Sequence, residues 1–322
     1  MTRVTAPSRL HFGLLAPKTG TFTFAETEKV NVPVFGGVGL MLAEPRICVS
    51  VREADAWSAT GPDAERALQA GQRLLASLPD EQRRAFSIQV EEAIDAHAGL
   101  GSGTALALAT AKALAIAMGY ADWSSVELAR RVGRGERSAV GIHGFEHGGL
   151  IVELGKQHDE AIAPLAQHRR LPEHWRVLLV RPALDADWHG VRERQAFAQM
   201  TRANPAEVMK QIVSRDMLPA VDAMDIDRFG NAVHEYNRLA GEAFIELQGG
   251  PYAHPAIAEL IAQLRKLGVT GAGQSSWGPT VFGIVESGQQ GRAVVRQLQL
   301  STGTTIQVCH FANAGASIER LT

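Results

Sequence analysis

Cysteine is nearly missing from this chain. Cys48 and Cys309 are the whole complement, and both sit in apolar, strand-like runs. A disulfide framework needs more of them, and metal-ligand spacing is absent. The pair reads as buried, reduced thiols. An excess of one charge is also missing: 32 Lys and Arg stand against 34 Asp and Glu, a net charge of -2. That excludes the basic signature of a nucleic-acid binder and leaves local clusters free to serve a phosphorylated small molecule. Long hydrophobic runs are absent too. The longest, Thr104 to Met118, is mostly alanine, carries Lys112 and is too short to span a bilayer. Arg3 and Arg9 flank no apolar segment of the signal-peptide kind. A soluble cytoplasmic protein with no membrane partner is expected.

What is present is ordinary globular composition: 322 residues, 45% hydrophobic and 20% charged. One large domain or two medium ones fit that length. Val4, Leu10, Phe12 and Leu14 alternate as a strand with a turn near Ala6-Pro7-Ser8. Gly36-Gly37-Val38-Gly39-Leu40 leads into a second extended run, in which Ile47, Val49 and Val51 alternate. Pro62 starts a helix that runs to about Leu78, and Phe86, Ile88 and Val90 form a strand. Ser124-Ser125 caps a helix that ends near Val132. Gly133 to Gly149 reads as a loop and Leu150 to Val152 as a strand. The stretch Asp159 to Glu173, with Pro164 and Pro172, reads as a domain junction. Strands are then expected at Trp175–Val180, Val281–Val285 and Thr304–Cys309. Helices are expected from Asn204-Pro205 onward, at Asp225–Leu247, Pro255–Leu267 and Gln289–Leu300. The early half is rich in strands and the later half mixed, without a regular β-α-β beat. This is an α+β pattern in two lobes.

The segment with the clearest chemistry is Gly99-Leu100-Gly101-Ser102-Gly103-Thr104, opening the apolar helix Ala105 to Met118. Glycines admit positive φ and close backbone approach. The first helical turn supplies free N–H groups and partial positive charge. Ser102 and Thr104 add hydroxyl donors, so the segment suits phosphate or pyrophosphate. A plain glycine turn with a serine cap explains the same residues equally well, and the Walker A ending is missing.

That segment resembles the phosphate-binding motif of the GHMP kinases. Ala6-Pro7-Ser8-Arg9-Leu10-His11-Phe12-Gly13 resembles their N-terminal motif. Gly271-Ala272-Gly273-Gln274-Ser275-Ser276-Trp277-Gly278-Pro279-Thr280 resembles their C-terminal glycine-rich motif. The resemblance implies a two-domain fold: a ribosomal S5 domain 2-like unit over 1–165 and a ferredoxin-like unit over 166–322. Three departures refine it. Asp95 stands where the kinases usually have proline, and Gly103 where they have a second serine. Counting back from Gly148-Gly149 puts Gly141 at the place of the catalytic aspartate, and no aspartate lies between Gly133 and Leu150. The loop from Arg134 to Gly149, with the other two motifs, is similar instead to the β-ribofuranosylaminobenzene 5′-phosphate synthases.

That resemblance implies condensation of phosphoribosyl pyrophosphate with 4-aminobenzoate or a 4-hydroxybenzoate-type acid. Pyrophosphate and CO2 leave in an early step of tetrahydromethanopterin biosynthesis. It implies Mg²⁺ as cofactor and a homodimer. Gly99, Gly101, Ser102, Gly103, Thr104 and Arg134 are expected to bind pyrophosphate, and Glu136 with Ser102 to hold the metal. Arg137, His143, Glu146 and His147 are the catalytic candidates. Arg9, His11, Gln274, Ser275, Ser276 and Trp277 are the substrate-binding candidates, with the indole stacking on the benzoate ring. Blander readings stand beside these: structural histidines at 143 and 147, a core tryptophan at 277, an Arg137–Glu136 ion pair. Asp185, Asp187, Trp188 and His189 read as a surface cluster. An ATP-dependent small-molecule kinase and a non-catalytic ligand-binding relative remain as alternatives.

Overall fold

A computed structural model describes residues 1–15, 20–24, 28–32, 36–153, 155–156, 162–184 and 205–321. The polar cluster at 185–189 and the cap at Asn204 lie outside them.

Two sheets organise the chain. In the first, β1 (Thr2–Leu15) pairs with β4 (Gly36–Ala54), and a hairpin of β2 (Gly20–Phe24) and β3 (Glu28–Val32) stands between them in sequence. β4 also pairs with β6 (Ala85–Glu92), beside which lies the short parallel β5 (Ser58–Thr60). The turn expected at Pro7 does not form. β1 runs straight through, because Pro7 sits at a register shift between residues 7 and 8, where its missing N–H costs no ladder bond. Helix α1 (Ala64–Ala76) and helix α2 (Ser102–Ala117) cover this sheet. The alanines of α2, among them Ala107, Ala109, Ala111 and Ala113, are fully or almost fully buried. Side chains that small let the helix axis approach β1 and β4 closely, which sets the depth of the helix N-terminus in the fold.

The segment expected as a loop from Gly133 to Gly149 is only half loop. After helix α3 (Ser125–Arg131), residues 132–139 are irregular, and Val140–His147 forms helix α4. Val140, Ile142, Gly144 and Phe145 are buried there. Gly144 faces the Met41 side chain so closely that any Cβ would collide with it. Close packing, not propensity, holds this glycine-rich helix. β7 (Leu150–Glu153) then pairs with β4, and β8 (Leu165–Arg169) with β7.

The second sheet carries β9 (Arg176–Arg181), β10 (Gly271–Gln274), β11 (Val281–Val285) and β12 (Thr305–His310) in the order β10-β11-β9-β12. All its pairings are antiparallel. With helices between β9 and β10 and between β11 and β12, this is the β-α-β-β-α-β ferredoxin-like arrangement. The long helix expected at Asp225–Leu247 is Ile226–Glu242 followed by a separate turn at Ile245–Gln248. β13 (Ser317–Arg320) returns to pair with β1 in the first sheet. Asp95, the residue in the kinases' proline position, forms an ion pair with Arg181 of β9 and so ties the two sheets together.

Candidate active site

Three separate stretches of sequence meet at one place through backbone hydrogen bonds. The Arg9 amide donates to the Leu100 carbonyl at 3.0 Å, and the Ser276 amide to the His11 carbonyl at 2.9 Å. Ser275 bridges them: its Oγ accepts from the His11 amide at 3.1 Å and donates to the Gly99 carbonyl at 2.8 Å. Gly99 and Gly101 both lie at positive φ, 79° and 75°. A Cβ on Gly99 would sit 2.5 Å from the Ser275 carbonyl oxygen, and one on Gly101 2.7 Å from the Arg9 side chain. Only glycine fits either position. Gln274 has a similar holding role. Its side chain accepts from the Ala253 amide and donates to the Ser276 carbonyl, and its backbone is clasped by Asn237.

A cavity of about 380 Å³ opens beside this junction, between the two sheets. Part of its surroundings is cationic. The α2 N-terminus begins at Ser102 behind the left-handed Gly101, with Thr104 on the cavity wall. Arg66 and Arg134 converge over Gly103: a Cβ there would meet Arg66 Nη2 at 2.9 Å and Arg134 Nη1 at 3.6 Å. Burial, then the neighbouring charges of Arg66 and Arg73, holds the Arg134 guanidinium below its ordinary value, and its Nε has no hydrogen-bond partner. Clustered guanidiniums, one with a buried unused donor, beside a helix N-terminus make an anion site. Arg9, Arg73 and Arg137 also line the cavity, and among the described residues Glu136 is the one carboxylate on its wall. The lining also holds the less polar Leu14, Phe244, Pro251, Tyr252 and Trp277. The Phe244 and Trp277 rings pack edge-to-face with centroids 5.1 Å apart.

A polar network runs into the protein from the cavity wall. His11 Nδ1 accepts from the Gly13 amide at 3.2 Å, so its Nε2 carries the proton of the neutral ring and donates to Ser138 Oγ at 3.0 Å. Ser138 Oγ lies 2.7 Å from Glu153 Oε1, and the Ala139 amide donates to Oε2. Glu153 is fully buried, and that burial pushes its carboxyl up to about 7. Burial, reinforced by Arg9 and Arg137, holds His11 well below the ordinary histidine value. Gly37 leaves the room: a Cβ there would stand 2.8 Å from Glu153 Oε1 and 3.0 Å from His11 Nε2.

The expected site residues therefore divide. Arg9, His11, Thr104, Arg134, Glu136, Arg137, Gln274, Ser276 and Trp277 line the cavity. Gly99, Gly101, Ser102, Gly103 and Ser275 build the junction and helix terminus that shape it. His143, Glu146 and His147 lie on α4 and are not among the residues that line the cavity. The buried His143 ring spends Nε2 on the Ala163 carbonyl at 2.8 Å. Glu146 accepts from the Ser125 amide and hydroxyl at 2.9 and 2.7 Å and so anchors the start of α3. Burial alone would raise its carboxyl; those two bonds outweigh it and hold it low. The His147 ring lies 5.6 Å from that of His168. Sequence reading missed Arg66, Arg73, Ser138 and Glu153.

This fold, with its glycine-rich helix terminus facing a cavity between two lobes, defines a GHMP-type protein. Residues 64–150 match the family of the GHMP kinases N terminal domain and residues 217–302 that of the GHMP kinases C terminal. Solved structures with the same fold include homoserine kinase from Cytophaga hutchinsonii (TM-score 0.66, 14% identity, 99% of this chain and 97% of that one). Another is mevalonate diphosphate decarboxylase from Enterococcus faecalis (TM-score 0.66, 14% identity, 99% of each chain). Two relatives named beta-ribofuranosylphenol 5′-phosphate synthase are nearer in sequence. The protein from Archaeoglobus fulgidus is 31% identical over 306 residues (90% of both chains), and that from Methanothermobacter thermautotrophicus 30% over 307 (88% of both). The chain belongs to the beta-ribofuranosylphenol 5′-phosphate synthase family.

Proposed function

We propose that the protein condenses phosphoribosyl pyrophosphate with a 4-hydroxybenzoate-type acid, or with 4-aminobenzoate, releasing pyrophosphate and CO2 and forming a C-riboside. The observation that carries this reading is one cavity whose lining combines arginines beside a helix N-terminus with the aromatic rings of Phe244, Tyr252 and Trp277. A phosphorylated sugar and a benzoate need that pair of surroundings in one cavity. The phenol in the relatives' name favours the hydroxybenzoate.

In this reading the α2 terminus from Gly101 to Thr104, with Arg134, takes the pyrophosphate and neutralises the charge it gains on leaving. Arg9 and Arg137 hold the remaining phosphate or carboxylate in charge-assisted hydrogen bonds. Trp277 lies against the benzoate ring. Among the described residues no cluster of three or more His, Cys, Asp or Glu groups is arranged to cage a metal. Glu136, the one carboxylate on the wall among the described residues, suits Mg²⁺ arriving on the diphosphate, since that ion commonly uses one or two carboxylates plus substrate phosphates. Bound there, the ion would supply charge neutralisation. A sugar or mevalonate kinase would instead want a base beside the acceptor hydroxyl, and among the described residues no aspartate lines the cavity.

The test is CO2 release from carboxyl-labelled benzoate in the presence of phosphoribosyl pyrophosphate and Mg²⁺. Release that needs both substrates is the expected result. No release with either benzoate, together with ATP-dependent phosphorylation of a small alcohol, would replace this reading with the kinase one.

A further inference from the structure

Glu153 is a buried carboxyl at the end of a strand, and nothing in the synthase reading so far uses it. Its connection to the cavity is through one atom, Ser138 Oγ. Ser138 is half-buried and on the cavity wall, next to Arg137. A serine oxygen has two acceptor positions and one proton. With Glu153 ionised, His11 Nε2–H at 3.0 Å and the Val140 amide at 3.2 Å fill both acceptor positions, and the serine proton points to Glu153. With Glu153 protonated, the carboxyl donates to Ser138 Oγ in place of the weaker Val140 bond. The serine proton is then free to turn into the cavity. Neutral His11 cannot take that proton, because Nδ1 already accepts from Gly13. Among the described residues the hydrogen bonds lead a proton along one path, from Glu153 through Ser138 to the cavity.

Resting on the synthase reading, we propose that Ser138 is the general acid for the departing pyrophosphate and that Glu153 and His11 are the positioning residues that recharge and aim it. As the C1′–O bond breaks, its electron pair goes to the pyrophosphate oxygen, which takes the Ser138 proton. Ser138 takes the Glu153 proton, leaving a carboxylate. The ring carbon bonds to C1′, and the electrons of its bond to the carboxylate return to the ring as CO2 leaves. Glu153 regains one proton from water in each turnover. The charged and titratable groups facing Glu153 are Arg9 and His11 from β1, Lys156 beyond β7 and Tyr236 from the helix Ile226–Glu242. Arg9 and Lys156 favour the carboxylate and burial opposes it.

The experiment compares wild type, Glu153→Gln and Ser138→Ala. In the unliganded protein, infrared difference spectra between about pH 5 and about pH 9 should show a protonated-carboxyl band that disappears in Glu153→Gln and shifts in Ser138→Ala. In CO2-release assays, wild-type kcat/KM should fall as pH rises through about 7, because the acid must be protonated. Glu153→Gln should lose about 10²-fold in kcat together with that alkaline limb. Ser138→Ala should behave alike. No such band, or an alkaline limb that survives in Glu153→Gln whatever its rate, overturns the relay. Wild-type protein that shows the band but releases no CO2 overturns the synthase reading instead, and the assigned use of the proton with it.

Discussion

Residues 134–139 and 140–147 adjoin one another, are both rich in glycine and in charged or titratable side chains, and do opposite things. The first stretch is irregular and turns Arg134, Glu136, Arg137 and Ser138 to the cavity. The second is helix α4, whose polar side chains are consumed by structure: His143 on Ala163, Glu146 on Ser125. A density of chemically able residues does not itself identify a site. What separates the two is where Val140, Ile142 and Phe145 bury themselves, since that fixes which way each neighbour points.

The sharpest way to break this comparison is Arg134→Ala. Losing one cationic donor at the anion site should lower turnover by about 10²–10³-fold. Thermal unfolding should move little, so a folded and fully active variant would put the anion site elsewhere. Glu153 tests the boundary between the stretches through stability. Its folded carboxyl is raised from 4.5 to about 7, so the native state binds the proton more tightly than the unfolded chain. The wild type should therefore be most stable below about pH 4.5 in this respect and lose roughly 3 kcal/mol as pH rises through 7. Denaturant titrations across that window should show the slope flattened in Glu153→Gln. On the α4 side, Glu146→Ala leaves the Ser125 amide and hydroxyl without an acceptor. It should cost about 1–3 kcal/mol of stability with kcat within a factor of two. A large kcat loss without destabilisation would restore α4 to the site. The smallest effect belongs to Trp277→Ala. It should raise KM for the benzoate by about fivefold, from loss of a ring contact of about 1 kcal/mol, and leave KM for phosphoribosyl pyrophosphate unchanged. Steady-state kinetics with each substrate varied would separate the two.

The fold and the three motifs were legible because each motif has a local physical signature. Gly99 and Gly101 precede a helix, and Gly271 to Gln274 enter a turn. Arg66 and Arg73 carried a readable signal that was not used: seven residues apart on one helix, they share a face. Glu153 carried a fainter one, a carboxylate closing the wholly buried strand Leu150–Glu153. Its partner Ser138 had none, because only tertiary structure puts β7 beside the loop. The same holds for Gly37, whose missing side chain matters through atoms of residues 11 and 153. Helix α4 was illegible for a related reason. Gly141, Gly144 and the Gly148-Gly149 pair weigh against helix, and Met41 pressing on Gly144 overrides them.

The junction of the three motifs also bears on the order in which the protein is made. His11 is fastened to Ser275, 264 residues later in the chain, and Ser275 to Gly99, 176 residues before it. While a ribosome is still short of Ser275, the N-terminal lobe can collapse around α2, but its glycine loop has no wall to lean on. The junction takes shape only with the last sixth of the polypeptide, so an unfinished chain lacks the residues that close the wall of the cavity.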